Sequence, residues 1–166
     1  MSNIIIYPGW GESFKEARYR KLAKTLENAG HKVTPMNLDW RKPLSSNVFA
    51  VPKSSIIVGF SYGAVIAYLI AQKFPYKKII LCSLSPLHKF SYKDNLKMYQ
   101  EHMTYEQAKV MADDTQKIKI NLKKLKVPYI TLVGELEKGI GKADFIVPKT
   151  GHNMTNTYIN SISKLL

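Results

Sequence analysis

The sequence predicts an α/β fold: a compact three-layer α/β/α sandwich with a mostly parallel sheet of about six strands. Short apolar runs of strand length alternate along the chain with longer segments that have helical periodicity. Pro, Gly or a capping residue bounds most of these runs, as turns do between strands and helices. The 166 residues suffice for one domain with a sizeable core, so we treat residues 1–166 as a single domain.

The first strand and the first helix are predicted from the amino-terminal thirty residues. The apolar run at residues 4–7 is typical of a fully buried strand, and Pro8 ends it. Ser13 and Glu16 have the spacing of a capping box, so we expect a helix to begin after Ser13. Gly30 is placed to end that helix.

The remaining elements continue the alternation of strands and helices. Strands are predicted at residues 31–36, 55–58, 78–82, 129–133 and 145–147, and helices at 62–74 and from about 153 onward. The connection over residues 83–127 is the exception because it is far longer than usual. Thr104 and Gln107 form a capping box that predicts a helix near residues 105–113 within it. Since long connections are usually functional, we expect this helical insertion to cover a site as a small lid.

The motif Gly59-Phe60-Ser61-Tyr62-Gly63 lies between a predicted buried strand and a predicted apolar helix. A sharp turn from strand to helix strains the backbone of the central serine and exposes its hydroxyl. Small residues on either side let the strand and the helix approach, and the helix amino terminus directs free N–H groups at the site. The motif therefore predicts Ser61 as a nucleophile.

A serine nucleophile needs a base, and the chain has four histidines: His31, His88, His102 and His152. His31 begins a strand, and His88 and His102 lie in the polar insertion. His152 alone follows a predicted strand end and lies in the last loop, on the side of the sheet where α/β proteins gather their sites. We therefore predict His152 as the base.

The base needs a carboxylate to orient it, and three acidic residues between Ser61 and His152 are candidates. Glu135 and Glu137 follow the strand that Gly134 ends. They would lie on one side if the extended geometry continued past Gly134. Asp144 lies at the amino end of the last strand, which is the wrong edge of the sheet.

These motifs together resemble the α/β-hydrolase superfamily, in which nucleophile, acid and histidine follow one another in the order found here. The resemblance extends from Ile4 to the last helix and points to a compact serine hydrolase without a large cap. It implies Ser61 as nucleophile and His152 as base. It favours Glu137 over Glu135 as the acid, because the acid of the family commonly stands three residues after the glycine.

The resemblance also implies two backbone donors for the oxyanion that acyl transfer creates. One is the N–H of Tyr62, directly after the nucleophile. The other is the N–H of Trp10 in the loop that follows the first strand, where many family members have His-Gly and this chain has Pro8-Gly9. The Trp10 ring is then expected to wall the acyl pocket.

The charge of the chain is strongly basic: 25 Lys and Arg against 12 Asp and Glu give a net charge of +13. Basic residues cluster at 15–24 and at 117–126, and the second run does not alternate with aromatic residues as binders of single-stranded nucleic acid do, so nucleic acid is not expected as a partner. A solvated surface is one interpretation. A docking face for an acidic partner, such as an acyl carrier protein that delivers a thioester, is the other.

Other features of the sequence exclude several classes of function. No phosphate-binding loop, dinucleotide motif or metal-spaced cluster of His and Cys is present, so neither a cofactor nor a metal is expected. Cys82 is the single cysteine and is predicted to be a small, buried apolar residue. With no signal or membrane-spanning pattern in the sequence, a cytoplasmic location is expected.

Two hypotheses about function follow. The first is a serine esterase or thioesterase that cleaves a small ester or thioester through an acyl-enzyme on Ser61. The second is a catalytically inactive protein of the same fold that binds an acidic partner through its basic surface.

Overall fold

Six strands form a single sheet in the computed structural model, which describes the backbone of residues 1–166 and every side chain except that of His88. The strands are Asn3–Tyr7 (β1), Lys32–Pro35 (β2), Ile56–Phe60 (β3), Lys78–Cys82 (β4), Tyr129–Gly134 (β5) and Phe145–Val147 (β6). Their order is β2-β1-β3-β4-β5-β6, and each of the five pairings is parallel. The predicted sheet is confirmed.

Helices cover both faces of this sheet, which gives the predicted three layers. The helices are Ala17–Asn28 (α1), Tyr62–Lys73 (α2), Tyr92–Gln100 (α3), Tyr105–Lys117 (α4) and Asn156–Lys164 (α5). Buried side chains of α1 and α5 share one apolar core with the sheet, and those of α2, α3 and α4 share the other. Strand β3, buried along its whole length, separates the two cores.

The strand order places a crevice at the carboxyl ends of β1 and β3. The chain runs from β1 outward to β2 and then returns to form β3 on the other side of β1. The loops that follow β1 and β3 therefore diverge to opposite faces of the sheet, which is where open α/β sheets bind ligands. Trp10 and Ser61 lie in these two loops.

The insertion over residues 83–127, for which at least one helix was predicted, contains two α-helices. Helix α4 has the predicted capping box of Thr104 and Gln107. Helix α3 was not predicted; the Ser91 hydroxyl caps it by accepting a hydrogen bond from the Asp94 N–H at 3.1 Å. Both helices pack against the core formed by α2, and the role of the insertion as a lid stays a prediction.

Two predicted helix starts were wrong by three residues. Helix α1 begins at Ala17, because residues 13–16 form a separate turn that the Glu16 N–H closes by donating to the Ser13 carbonyl oxygen at 3.2 Å. Helix α5 begins at Asn156, where the Thr155 side chain caps it by accepting the Tyr158 N–H. Both shifts lengthen the loops beside the crevice. Among the described helices, none has the length and apolar character needed to span a membrane.

Candidate active site

The turn at Ser61 has the strained geometry that the motif predicts. Strand β3 ends at Phe60 and α2 begins at Tyr62, so Ser61 alone makes the turn. Its φ is 55° and its ψ is −118°, a conformation that few residues other than glycine adopt. The Ser61 N–H is held by the carbonyl oxygen of Cys82 at 2.9 Å, which fixes the turn to the neighbouring strand.

The glycines on either side of Ser61 allow backbone segments to touch. A Cβ at Gly63 would collide with the carbonyl oxygens of Tyr7 and Pro8, which belong to the end of β1 and its loop. A Cβ at Gly59 would lie 2.6 Å from the Cα of Ala64. The loop after β1 therefore packs directly on the first turn of α2, beside Ser61.

His152 joins Ser61 to Glu137. Its Nε2 lies 2.9 Å from the Ser61 Oγ, and its Nδ1 lies 2.6 Å from the Glu137 Oε2. Because an ionised carboxylate only accepts hydrogen bonds, Nδ1 carries the proton, and Nε2 is left to accept the Ser61 hydroxyl. The imidazole is thus the tautomer that a general base for Ser61 requires. The His152 ring is 47% exposed, and the Glu137 side chain is 2% exposed.

Two donors bind the Glu137 oxygen that does not contact His152. Oε1 accepts the Gly134 N–H at 2.8 Å and the Ser83 hydroxyl at 2.5 Å. Burial raises the pKa of the carboxyl, but the hydrogen bonds from His152, Ser83 and Gly134 outweigh it and leave the pKa below its ordinary value. Glu137 is therefore an anion facing His152 at neutral pH.

Ser83 is the residue of this site that sequence reasoning missed. It directly follows β4 and is fully buried, with a φ of 48°. Its hydroxyl also lies 2.9 Å from that of Tyr158, which donates to the Leu132 carbonyl oxygen at 3.0 Å. The available signal was its position at the carboxyl end of a strand beside β3 and β5.

Glu135 lies away from His152. Extended geometry does not continue past Gly134, because the Glu137 N–H donates to the Gly134 carbonyl oxygen at 3.0 Å and closes a turn. Glu135 is exposed and accepts the Lys149 N–H at 2.7 Å. Asp144 accepts the N–H and the hydroxyl of Thr131, both at 2.8 Å.

Of the two predicted oxyanion donors, Tyr62 directly follows Ser61, and the Trp10 ring packs edge-on against the Tyr62 ring at 5.8 Å between centroids. Neither the Trp10 N–H nor the Tyr62 N–H donates a hydrogen bond to any other described residue. The Gly9 N–H, by contrast, is held by the Glu12 carboxylate and the Tyr19 hydroxyl, each at 2.9 Å. Trp10 therefore presents the first free N–H of this loop, and the amino end of α2 adds the second.

An ion-pair network fixes the loop that carries Trp10. The Arg18 guanidinium donates to the Glu12 carboxylate at 2.7 Å and to the Asn153 side-chain oxygen at 3.0 Å. Glu12 in turn binds the Gly9 N–H, and Asn153 directly follows His152. One side chain of α1 therefore links the Trp10 loop to the His152 loop.

Two cavities open beside these residues. The first has a volume of about 210 Å³ and is lined by Trp10, Gly11, Trp40, Arg41, His102 and Met103. The second has a volume of about 440 Å³ and is lined by Ser85, Pro86, Phe90, Leu136, Glu137, Lys138, Ile140 and His152. One cavity therefore adjoins Trp10, and the other adjoins His152.

The other candidate residues lie outside this arrangement. His31 precedes β2, His102 packs its ring edge-on against Trp10 at 4.8 Å between centroids, and the His88 side chain lies outside the described residues. Cys82 is buried, as predicted, and burial raises the pKa of its thiol. In the part of the chain with described side chains, no three His, Cys, Asp or Glu residues cluster as metal ligands do.

Solved structures of enzymes resemble this chain over nearly its whole length. Est1E from Butyrivibrio proteoclasticus is 12% identical, with 99% of this chain and 84% of Est1E covered and a TM-score of 0.71. MGS-MChE2, an alpha/beta hydrolase enzyme from a sediment metagenome of the lagoon of Mar Chica, Morocco, is 17% identical, with 99% and 88% covered and a TM-score of 0.69. RedJ, a thioesterase from the prodiginine biosynthetic pathway in Streptomyces coelicolor, is 12% identical, with 99% and 90% covered and a TM-score of 0.64.

The chain matches no family model, and no curated protein matches it by sequence. At identities this low, the structural likeness shows the fold of the chain and leaves its chemistry to be argued from the site.

Proposed function

We propose that this chain, which has the α/β-hydrolase fold, is a serine hydrolase that cleaves a small carboxylic ester or thioester. The observation that carries the proposal is the pair of hydrogen bonds from His152 to Ser61 and Glu137. Nucleophile, base and orienting acid are within hydrogen-bond reach of one another before any substrate binds.

The proposed reaction has two half-reactions. His152 Nε2 removes the Ser61 proton as Oγ attacks the acyl carbon, and the carbonyl oxygen becomes an oxyanion bound by the Trp10 and Tyr62 N–H groups. The imidazolium then gives its proton to the departing alcohol or thiol, which leaves an acyl group on Ser61. Water, deprotonated by His152, attacks this acyl-enzyme, and the acid is released as Ser61 takes the proton back.

Glu137 has an electrostatic role in both steps. It keeps Nδ1 protonated and stabilises the imidazolium that forms when Nε2 takes a proton. Its pKa lies below the ordinary value, so it stays ionised and does not itself take the proton. An oxyanion donor in such a site lowers the barrier by about 3 kcal/mol.

An inactive binding protein would be the better interpretation if nucleophile, base and acid were not in contact with one another. The contacts among Ser61, His152 and Glu137 support the enzyme instead. An acidic carrier protein remains a proposed partner of the enzyme, but the basic run at residues 117–126 is poorly placed to deliver an acyl group. Its lysines border cavities with Lys73, at the opposite end of α2 from Ser61. That helix of 12 residues is about 18 Å long.

Hydrolysis of 4-nitrophenyl acetate and of an acetyl thioester tests this function. We expect the wild type to turn over at least one of them and Ser61→Ala to lose nearly all of that activity. A Ser161→Ala variant changes a half-buried serine of α5, whose hydroxyl donates to the Thr157 carbonyl oxygen, and is the matched control. Equal turnover by wild type and Ser61→Ala would refute the proposal.

A further inference from the structure

We propose, on the basis of the proposed function, that the substrate is an ester or thioester of a one-ring aromatic acid with an apolar leaving group. The acyl ring occupies the cavity beside Trp10, which we call the aromatic cavity. The leaving group occupies the cavity beside His152, which we call the histidine-side cavity.

The chemistry of acyl transfer assigns the histidine-side cavity to the leaving group. His152 Nε2 must protonate the departing oxygen or sulfur, so that atom has to lie on the His152 side of the acyl carbon. The histidine-side cavity is lined by His152 itself and by Glu137. Whatever is attached to the departing atom therefore extends over this surface.

The walls of the histidine-side cavity indicate an apolar leaving group. Phe90 is 44% exposed and Leu136 is 65% exposed, and Ile140 lies beside them. Exposed large apolar side chains grouped beside a reactive histidine mark a binding surface more often than scattered ones do. An alkyl or aryl chain on the departing atom would cover them.

The aromatic cavity is then left for the acyl group. The oxyanion points at the Trp10 and Tyr62 N–H groups, and the remaining substituent of the acyl carbon points away from His152. Trp10 provides both an oxyanion donor and a wall of this cavity. A short acyl group attached to Ser61 therefore reaches it along the Trp10 loop.

The size of the aromatic cavity limits the acyl group to about one ring. Its volume is about 210 Å³, whereas an apolar cavity of about 150 Å³ is enough to hold benzene. A benzoyl group with a short substituent fits within that volume. A fused pair of rings exceeds it, as does an alkyl chain well beyond about eight carbons.

The lining of the aromatic cavity favours a planar group. Two indoles and an imidazole line it, and edge-to-face aromatic pairs add about 0.5–1.5 kcal/mol beyond the area that they bury. The Trp40 Nε1–H donates to the Glu12 carbonyl oxygen at 2.9 Å, which holds that indole in place. Arg41 pairs with Asp39 through its Nε at 3.2 Å.

A series of acyl groups on one leaving group tests the assignment of the aromatic cavity. We expect kcat/KM to be about tenfold higher for 4-nitrophenyl benzoate than for the octanoate, because one mismatched group in a pocket changes rates by that order. Met103→Trp fills the cavity and should lower the ratio of benzoate to acetate turnover about tenfold. Val110→Trp, at an exposed position on α4, is the matched control and should leave the ratio as it is.

A second variant keeps this test decisive if Met103→Trp fails to fold. His102→Ala enlarges the aromatic cavity at an exposed position and should shift the preference from benzoate toward 2-naphthoate. Preference for octanoate in the wild type, or an unchanged acyl preference in a folded variant of either kind, would overturn the assignment.

A series of alcohols on one acid tests the histidine-side cavity. We expect octyl benzoate to be cleaved with a higher kcat/KM than methyl benzoate, and Leu136→Ser to reduce this preference about tenfold. Ile146→Ser is the matched control, because Ile146 is 66% exposed but does not line the cavity. Equal losses in both variants, or no preference for the octyl ester, would contradict the assignment.

Failure of this inference is distinguishable from failure of the proposed function. If a fluorophosphonate labels Ser61 but benzoate is not preferred, the function stands and the substrate class is wrong. If Ser61 is not labelled, the function itself is wrong and the preferences carry no meaning.

Discussion

The Ser83 hydroxyl donates a 2.5 Å hydrogen bond to the carboxylate of Glu137, the group that orients His152. Ser83 is fixed at the end of β4, and Glu137 follows β5, so the proposed acid is held between two neighbouring strands. The Tyr158 hydroxyl of α5 extends the same chain of hydrogen bonds. The position of Glu137 is therefore fixed by hydrogen bonds from residues of the buried core as well as by contacts within its own loop.

Ser83→Ala should lower kcat about tenfold with little change in KM, because Glu137 loses a donor and holds His152 less firmly. Removal of a hydrogen bond to the charged carboxylate should also raise the pKa of Glu137, so the stability that its ionisation contributes should be lost at a higher pH than in the wild type. Steady-state kinetics measures the first effect, and urea unfolding across pH measures the second. A loss of stability with an unchanged kcat would make Ser83 merely structural.

Glu137→Gln and Glu135→Gln separate the two candidate acids. Glutamine at position 137 cannot stabilise the imidazolium, so kcat should fall on the order of 10³- to 10⁴-fold. Glu135→Gln changes an exposed side chain that binds the Lys149 N–H and should stay near the wild-type rate. The opposite ranking in ester hydrolysis would move the acid to Glu135.

The lowered pKa of Glu137 predicts how stability depends on pH. A carboxyl whose pKa is lower in the folded chain stabilises the fold above its unfolded pKa of about 4.3. That contribution disappears as the pH falls through the lower, folded pKa. Urea unfolding should therefore show wild type more stable than Glu137→Gln at pH 7, with the gap closing toward pH 3. A gap that stays constant would contradict this origin.

Gly63→Ala tests the close approach beside Ser61. The new methyl group would collide with the Tyr7 and Pro8 carbonyl oxygens, and backbone displacement of this kind costs about 1–3 kcal/mol or more. Gly151→Ala is the matched control, because a Cβ there meets no atom within 4 Å. Thermal unfolding should separate the two variants. Similar melting temperatures would show that the β1 loop does not pack on α2 as described.

Most of the fold and part of the candidate site can be predicted from local sequence patterns. The strand at residues 56–60 and the apolar helix after it are set by adjacent residues, and so is the strained turn at Ser61 between them. The capping box at Thr104 likewise depends on residues three positions apart. Features of this kind are readable from one sequence because the interacting groups are close in the chain.

Some contacts between residues that are far apart in the chain were not predicted from the sequence. Ser83 and Glu137 are 54 positions apart, and the position of Ser83 at the end of a strand does not by itself indicate which residue its hydroxyl contacts. The turn after Gly134 depends on packing against the His152 loop, since the Leu136 N–H donates to the Thr150 carbonyl oxygen at 2.9 Å. That packing separates Glu135 from Glu137, which strand alternation alone places on the same side.

Covalent labelling with a fluorophosphonate tests the central claim most directly, because only an activated serine beside oxyanion donors reacts rapidly with it. Intact-mass and peptide analysis should find one phosphonyl group per chain, attached to Ser61, and no adduct on Ser61→Ala. Glu137→Gln should label far more slowly than Glu135→Gln. Absence of an adduct on the folded wild type, or an equal adduct on Ser61→Ala, would contradict the account.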